Sequence, residues 1–278
     1  FGETCPQYLM LTQKSLCVTC DAPGARPGEA NKFLCSPPLR TEAEQRRLWA
    51  ALRRGELQVI SSDHSAYNFE GPPGSASKTA GGAATPFTKV PMGLPGLECR
   101  LPLMLSGARN GWLSSLEQAV AVCCANPARL YGCHPRKGAL LVGSDADVVL
   151  WSAEGERTIT KQALHDDVLD YTPYEGVTVR GEVVRTLLRG KTVFLRSDGD
   201  AGVLSAERGG GQFIPCGRPD LLGWSGNWPD DGDIVQQHVV ATLGPKLDGE
   251  TEGGEGETRA SFCAAPSGAT GSKRARDK

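Results

Sequence analysis

The stretch TEAEQRRLWAALRRGELQVISSDH, Thr41 to His64, holds one complete unit of local structural grammar. Thr41 followed three residues on by Glu44 is a capping box, which satisfies two of the orphan N–H groups at a helix start. Leu48, Trp49 and Leu52 share one face at helical spacing, Arg53 and Arg54 sit where the helix dipole favours cations, and Gly55 supplies the left-handed stop. The β-rich run Leu57 to Ser61 follows at once and gives way to the polar Ser62, Asp63 and His64. Helix, glycine turn, buried strand and polar strand end make one α/β repeat of a parallel sheet. Such architectures gather their chemistry beyond the C-terminal ends of the strands, so the place of Asp63 is the first functional clue.

Outward from this unit the texture changes twice. NFEGPPGSASKTAGGAATPFT, Asn68 to Thr88, has too few apolar residues for a packed element, and reads either as a mobile loop over the site or as a surface insertion. Ser114 and Glu117 form a second capping box for a helix through about Ala125. Asn126 with Pro127 announces a further short helix, closed by Gly132. After Lys137 come β-type runs separated by turns: GALLVG, ADVVLW and TPYEGVTVRGEVVRTLLRGKTVFL. Beyond about Gly199 the chain is polar and Gly-rich and is expected to be disordered, with its terminal SKRARDK a solvated tail rather than a nuclear signal. The division is therefore an α/β part over residues 1–136, β strands over 137–198 and a mostly disordered tail over 199–278.

Composition removes several function classes. The 278 residues suffice for one large domain or two ordinary ones, and 30 basic against 32 acidic side chains leave a formal charge of −2. That balance supplies no basic field for nucleic acid or an anionic membrane surface. No apolar run approaches the roughly 18 residues of a membrane span, so a cytoplasmic protein is expected. The ten cysteines are scattered in a way that favours free thiols, and the lone Cys17-Val18-Thr19-Cys20 lacks the second ligand pair a structural zinc site needs. There is no G-x-S-x-G elbow, P-loop or H-E-x-x-H, and GGGQF at Gly209 lacks the strand-to-helix setting of a dinucleotide loop. Asp63 remains. A carboxylate at a strand end can bind a divalent metal, act as a general base or cap a neighbouring element, and for a lone one capping is the commoner fate.

Seven blocks carry a more specific signal: GETCPQYLMLT (Gly2–Thr12), KFLCSPPLR (Lys32–Arg40), VISSDHSAYNF (Val59–Phe69), KVPMGLPGLECRLPL (Lys89–Leu103), NPARLYG (Asn126–Gly132), KGALLVGSDADVVLW (Lys137–Trp151) and DYTPYEG (Asp170–Gly176). In this order they resemble the dihydropyrimidinase and D-hydantoinase family of metal-dependent amidohydrolases, over roughly Phe1 to Phe194, with a fungal flavour from Val90 onward. The resemblance implies the C-terminal portion of a (β/α)8 barrel together with the C-terminal strands of a flanking β-sandwich. It implies hydrolytic opening of a small cyclic amide in pyrimidine catabolism: dihydrouracil, dihydrothymine or a 5-substituted hydantoin, each giving an N-carbamoyl amino acid. It also implies a pair of zinc ions per subunit, bridged by a carboxylated lysine, and a homotetramer.

On the matching blocks the resemblance makes Asp63 a zinc ligand and the carrier of the catalytic proton. It makes Ser36 a main-chain contact to the substrate ring, and gives the same part to Met92, which stands where the family has asparagine. Ser65-Ala66 replaces the family's Cys-Pro. The family's remaining metal ligands, including the bridging lysine, precede its GETCPQYL block, and His134, His165 and His238 fall outside every ligand block. The sequence accordingly reads as the C-terminal part of such an enzyme, expected to be inactive by itself. The alternative is a non-catalytic scaffold of the same fold, like the collapsin-response proteins, which lose metal ligands where this chain keeps Asp63.

Overall fold

The computed structural model describes residues 1–16, 28–72, 75–80, 82, 85–196 and 202–221. Its first strand, β1 (Glu3–Thr4), runs into the short helix α1 (Pro6–Met10), and α2 (Glu42–Arg53) precedes β2 (Val59–Ile60). The two strands are parallel, Glu3 opposite Val59 and Thr4 opposite Ile60. Parallel strands need a long crossover, and α2 lies in it. The expected capping box is present: Thr41 Oγ1 accepts from the Glu44 N–H, while the Glu44 carboxylate accepts from the Thr41 N–H. Gly55, at a φ of 72°, turns the chain into the strand.

A second helical layer closes over this unit. It comprises α3 (Arg100–Arg109), α4 (Leu116–Val120), a π-helical turn over Ala121–Ala125, and α5 (Asn126–Leu130). The start of α4 departs from the sequence expectation. Ser115, one residue after the expected Ser114, caps the helix by accepting from the Gln118 N–H, and the Gln118 side chain accepts from the Ser114 N–H. Gln118 does both jobs because its amide also donates, at 3.0 Å, to the Leu52 carbonyl at the end of α2. Leu9, Leu52, Ile60, Leu103, Met104, Leu113 and Val122 form the core between the layers. Gly107 of α3 admits the ring of Trp49 from α2, which packs tilted against Trp112 at 5.4 Å between centroids.

The β part is an antiparallel meander in the order β3 (Val148–Thr158), β4 (Thr178–Leu188), β5 (Lys191–Leu195) and β6 (Val203–Leu204). Arg189 and Gly190, both at positive φ, make the two-residue turn between β4 and β5 that matches the strand twist. A bond from the Arg180 N–H to Ser106 Oγ, 2.9 Å long, fastens the sheet to α3. Two expectations fail here. GALLVG is a turn with Leu140, Leu141 and Val142 exposed, not a strand. The boundary near residue 199 is also too early, because β6 pairs with β5. Past β6, the Gly217 N–H donates to Gly132 O and Asp220 pairs with His134 at 2.9 Å. Short runs of main-chain pairing with few large apolar residues leave little trace in composition. The expected disorder of residues 222–278 lies outside the described residues.

Replacing Gln118 by leucine keeps the packing volume but removes the acceptor of the Ser114 N–H and one of the donors to the Leu52 carbonyl, which keeps the Gly55 N–H. The expected cost is about 1–3 kcal/mol, read by urea unfolding. A loss under about 0.5 kcal/mol, the size of an ordinary surface substitution, would show that this bond does not hold the layers together.

Candidate active site

Four segments meet at the C-terminal end of the parallel pair. From β1 the chain enters Cys5, Pro6 and Gln7, and from β2 it enters Ser61 to Ser65. The Ser65 N–H donates to Leu94 O at 3.1 Å, and His64 and Leu94 form a parallel bridge, so the strand end is zipped to the Met92–Leu94 segment. In turn the Gly93 N–H donates to Leu34 O at 3.1 Å, which brings in the segment leading to Ser36. The contact leaves no room for a side chain: a Cβ on Gly93 would sit 2.5 Å from the Ser65 carbonyl oxygen. All three residues singled out from the sequence therefore belong to one cluster, with Asp63 and Ser36 exposed and Met92 partly covered.

Asp63 is held in an unusual way. Its φ of 45° lies in the left-handed region that few non-glycine residues adopt. Its Oδ2 accepts a 2.8 Å hydrogen bond from Nε2 of the buried Gln7. Oδ1 has no partner among the described residues. His64 faces elsewhere, its Nδ1 accepting from the Gly96 and Leu97 N–H groups at 3.1 and 3.2 Å, just ahead of α3. The carboxylate is thus aimed by a neutral amide while the neighbouring imidazole is committed to the backbone.

The other ionisable groups here are kept neutral or donating. Burial pushes the thiols of Cys5 and Cys35 up, which leaves neither as a thiolate nucleophile. Burial likewise raises the Tyr8 phenol, whose hydroxyl donates to Pro37 O at 2.9 Å beside Ser36. Lys78 is 1% exposed, and its Nζ donates to Leu34 O at 2.8 Å and Pro91 O at 2.9 Å. Desolvation brings its amine down to about 8, opposed by the nearby Cys35. Its nitrogen faces two carbonyls and no metal-ligating cluster among the described residues, so Lys78 is not placed as a metal-bridging ligand.

Lys78 also decides what the Gly- and Pro-rich segment does. Its described part is anchored around Phe69 and at Ser77 and Lys78, while Pro86, Phe87 and Thr88 stay exposed. Phe69, Ser77 and Lys78 are buried, and Asp170 accepts from the N–H groups of Phe69, Glu70 and Gly71. Burial alone would raise the Asp170 carboxyl, and those three bonds bring it below the usual carboxylate range. The segment packs under the site through main-chain contacts, which is why its lack of apolar residues misleads. Gln7 and Lys78 were both missed from the sequence. Gln7 stood inside a matched block without a role, and the signal for Lys78 is a lone lysine in a stretch otherwise free of charge after Glu70.

As for metal, no group of three or more histidine, cysteine, aspartate or glutamate side chains that could hold an ion occurs among the described residues. His134 and His165 are engaged with Asp220 and Glu98, and Cys17, Cys20 and His238 lie outside the described residues. What fits a metal is the open Oδ1 of Asp63: one ligand of a centre, not a centre. No helix among the described residues is long and apolar enough to cross a membrane.

The sequence profile of the amidohydrolase family matches residues 11–193. A D-hydantoinase of Rhizobium radiobacter is 41% identical over 193 residues, 69% of this chain and 38% of that protein. A D-phenylhydantoinase of Escherichia coli O1:K1 / APEC is 37% identical over 212 residues, 76% of this chain and 41% of that protein. Among solved structures, D-hydantoinase from a Bacillus sp. AR9 superposes with a TM-score of 0.62 at 40% identity, covering 73% of this chain and 41% of that one. Dihydropyrimidinase from Brevibacillus agri NCHU1002 gives 0.62 at 39% identity, covering 73% and 40%. The chain spans about two-fifths of the length of these relatives. All four are bacterial, and the fungal flavour of the sequence finds no support in them.

The buried Lys78 makes stability depend on pH in a stated direction. Between pH about 8 and the ordinary lysine value of 10.5, the unfolded chain holds a proton that the folded chain has released. Stability relative to Lys78→Met should therefore rise with pH through that window and stay level below it. Urea unfolding of both proteins across the range checks this, and a difference that falls with rising pH would contradict the burial of the amine.

Proposed function

The chain belongs to the amidohydrolase family, and from that premise we propose that it forms the C-terminal part of a zinc-dependent dihydropyrimidinase or hydantoinase. The substrate class is a small cyclic amide or imide, opened at the C–N bond to an N-carbamoyl amino acid. The reading is supported by relatives named D-hydantoinase and D-phenylhydantoinase. The observation that carries it is Asp63, set at a parallel strand end in a left-handed conformation with one carboxylate oxygen aimed by Gln7. The exposed carboxylate oxygen is open to a ligand, which supports this reading over a helix-capping role.

In this reading the barrel and the β-sandwich of the family are each represented in part, by β1 to α5 and by the β3–β6 sheet. Asp63 provides one zinc ligand, and the remaining ligands belong to the portion of the relatives that this chain does not span. Zinc, when bound, lowers the pKa of a water and polarises the amide carbonyl. Asp63 takes the proton from the attacking water and delivers it to the departing ring nitrogen. Ser36 and Met92 hold the ring through their main chains, as an exposed edge of backbone beside the carboxylate. Met92 in place of asparagine makes that edge less polar, which favours rings with an apolar substituent. The homotetramer rests on the family resemblance alone.

In the complete protein, Asp63→Asn should reduce dihydrouracil and hydantoin turnover by at least about a thousandfold, the loss of both ligand and proton carrier. Gln7→Leu, which frees the carboxylate without removing it, should cost about tenfold to a hundredfold in kcat. Turnover by Asp63→Asn within a few fold of wild type would refute the role given to this residue.

A further inference from the structure

Lys78 presents an energetic puzzle. A buried ammonium with no carboxylate partner is costly, and a methionine or leucine would fill the same space without that cost. Among the described residues no acidic side chain pairs with it. Its nitrogen instead joins two carbonyls from segments 57 residues apart in the chain, Leu34 and Pro91. Leu34 O also accepts from the Gly93 N–H. Leu34 is two residues from Ser36, and Pro91 is next to Met92. The lysine is itself fixed at both main-chain ends: its N–H donates to Asn68 O at 2.9 Å, and its carbonyl accepts from Asn31 Nδ2 at 2.9 Å. Beyond it, Asp170 anchors the start of the same loop through three N–H groups.

We propose that Lys78 is a positioning residue that clamps the Leu34–Ser36 and Pro91–Gly93 segments together, fixing the two backbone edges between which the cyclic amide is held. This rests on the substrate-binding part assigned above to Ser36 and Met92. A lysine suits the task because its terminal nitrogen can donate to several carbonyls at once from the end of a long, flexible stem. The clamp acts on binding of the ring rather than on proton transfer, since the Lys78 amine hydrogen-bonds to Leu34 O and Pro91 O and not to Asp63 or Gln7.

The test uses the complete enzyme and two readouts. In Lys78→Met, KM for dihydrouracil should rise about tenfold to a hundredfold with kcat within about threefold and zinc content unchanged, the pattern of lost ground-state and transition-state binding together. A purely structural lysine would lower the melting temperature and kcat while leaving KM alone, and that result overturns the proposal. Lys78→Arg, which keeps the charge but spreads the donors over a planar fork, should show a smaller rise in KM. If the methionine variant does not fold, an arginine variant with wild-type KM overturns the proposal equally. The second readout needs no activity. Amide exchange at Gly93 should quicken about tenfold or more in either variant while Leu103 to Leu105 keep their protection. An enzyme that opens no cyclic amide would defeat the functional reading, whereas unchanged exchange at Gly93 would defeat the clamp.

Discussion

Backbone groups at the ends of helices and strands cannot be left buried without partners, and this molecule answers them with a few long polar side chains. Arg100 Nη1 donates to the carbonyls of Ile60 and Cys123, joining the end of β2 to the π-helical turn. Asn126 Nδ2 reaches Gln58 O just before β2, Gln118 reaches Leu52 O at the end of α2, and Trp49 Nε1 reaches Leu9 O at the end of α1. Each bond links elements far apart in sequence at a point where regular pairing stops. The hydrophobic core sets which faces meet, and these bonds set their register.

The same device reaches its fullest use at the candidate site. There the chain has almost no regular structure to fix it: β2 is two residues long, and the segments around Ser36 and Met92 are neither helix nor strand. Order comes from Gln7 on Asp63, from Tyr8 on Pro37 O, and from Lys78 on Leu34 O and Pro91 O. Elements far from the chemistry contribute as well. Asp170, in the stretch leading to β4, anchors the loop that delivers Lys78, so the β part supports the site without lining it. A carboxylate in a strained conformation can persist when its surroundings over-determine it, and the zipping of Ser65 to Leu94 does this directly after Asp63.

What the sequence made legible follows from the range of the interactions. The capping box at Thr41, the glycine stop at Gly55 and the strand at Val59 are local, and each is where the pattern places it. Asp63 could be singled out because a polar strand end is local too, and Ser36 and Met92 because they lie in blocks that resemble the family, while the roles proposed for them rest on that resemblance. The start of α4 was misplaced by one residue, since Gln118 answers a carbonyl 66 positions away and no local rule registers that demand. Gln7 and Lys78 were silent for the same reason: their partners stand 56, 44 and 13 positions off. The residues past β6 were misread because composition reports the absence of a core, not the presence of main-chain pairing.

What most needs testing is the proposed place of Asp63 as a zinc ligand in a hydrolytic site. Anomalous diffraction at the zinc absorption edge, on crystals of the complete protein, tests it most directly. An anomalous peak is expected about 2.0–2.2 Å from a carboxylate oxygen of Asp63, with Gln7 still bonded to the other oxygen. Zinc bound elsewhere, or no zinc while Asp63 keeps its bond to Gln7, would contradict it.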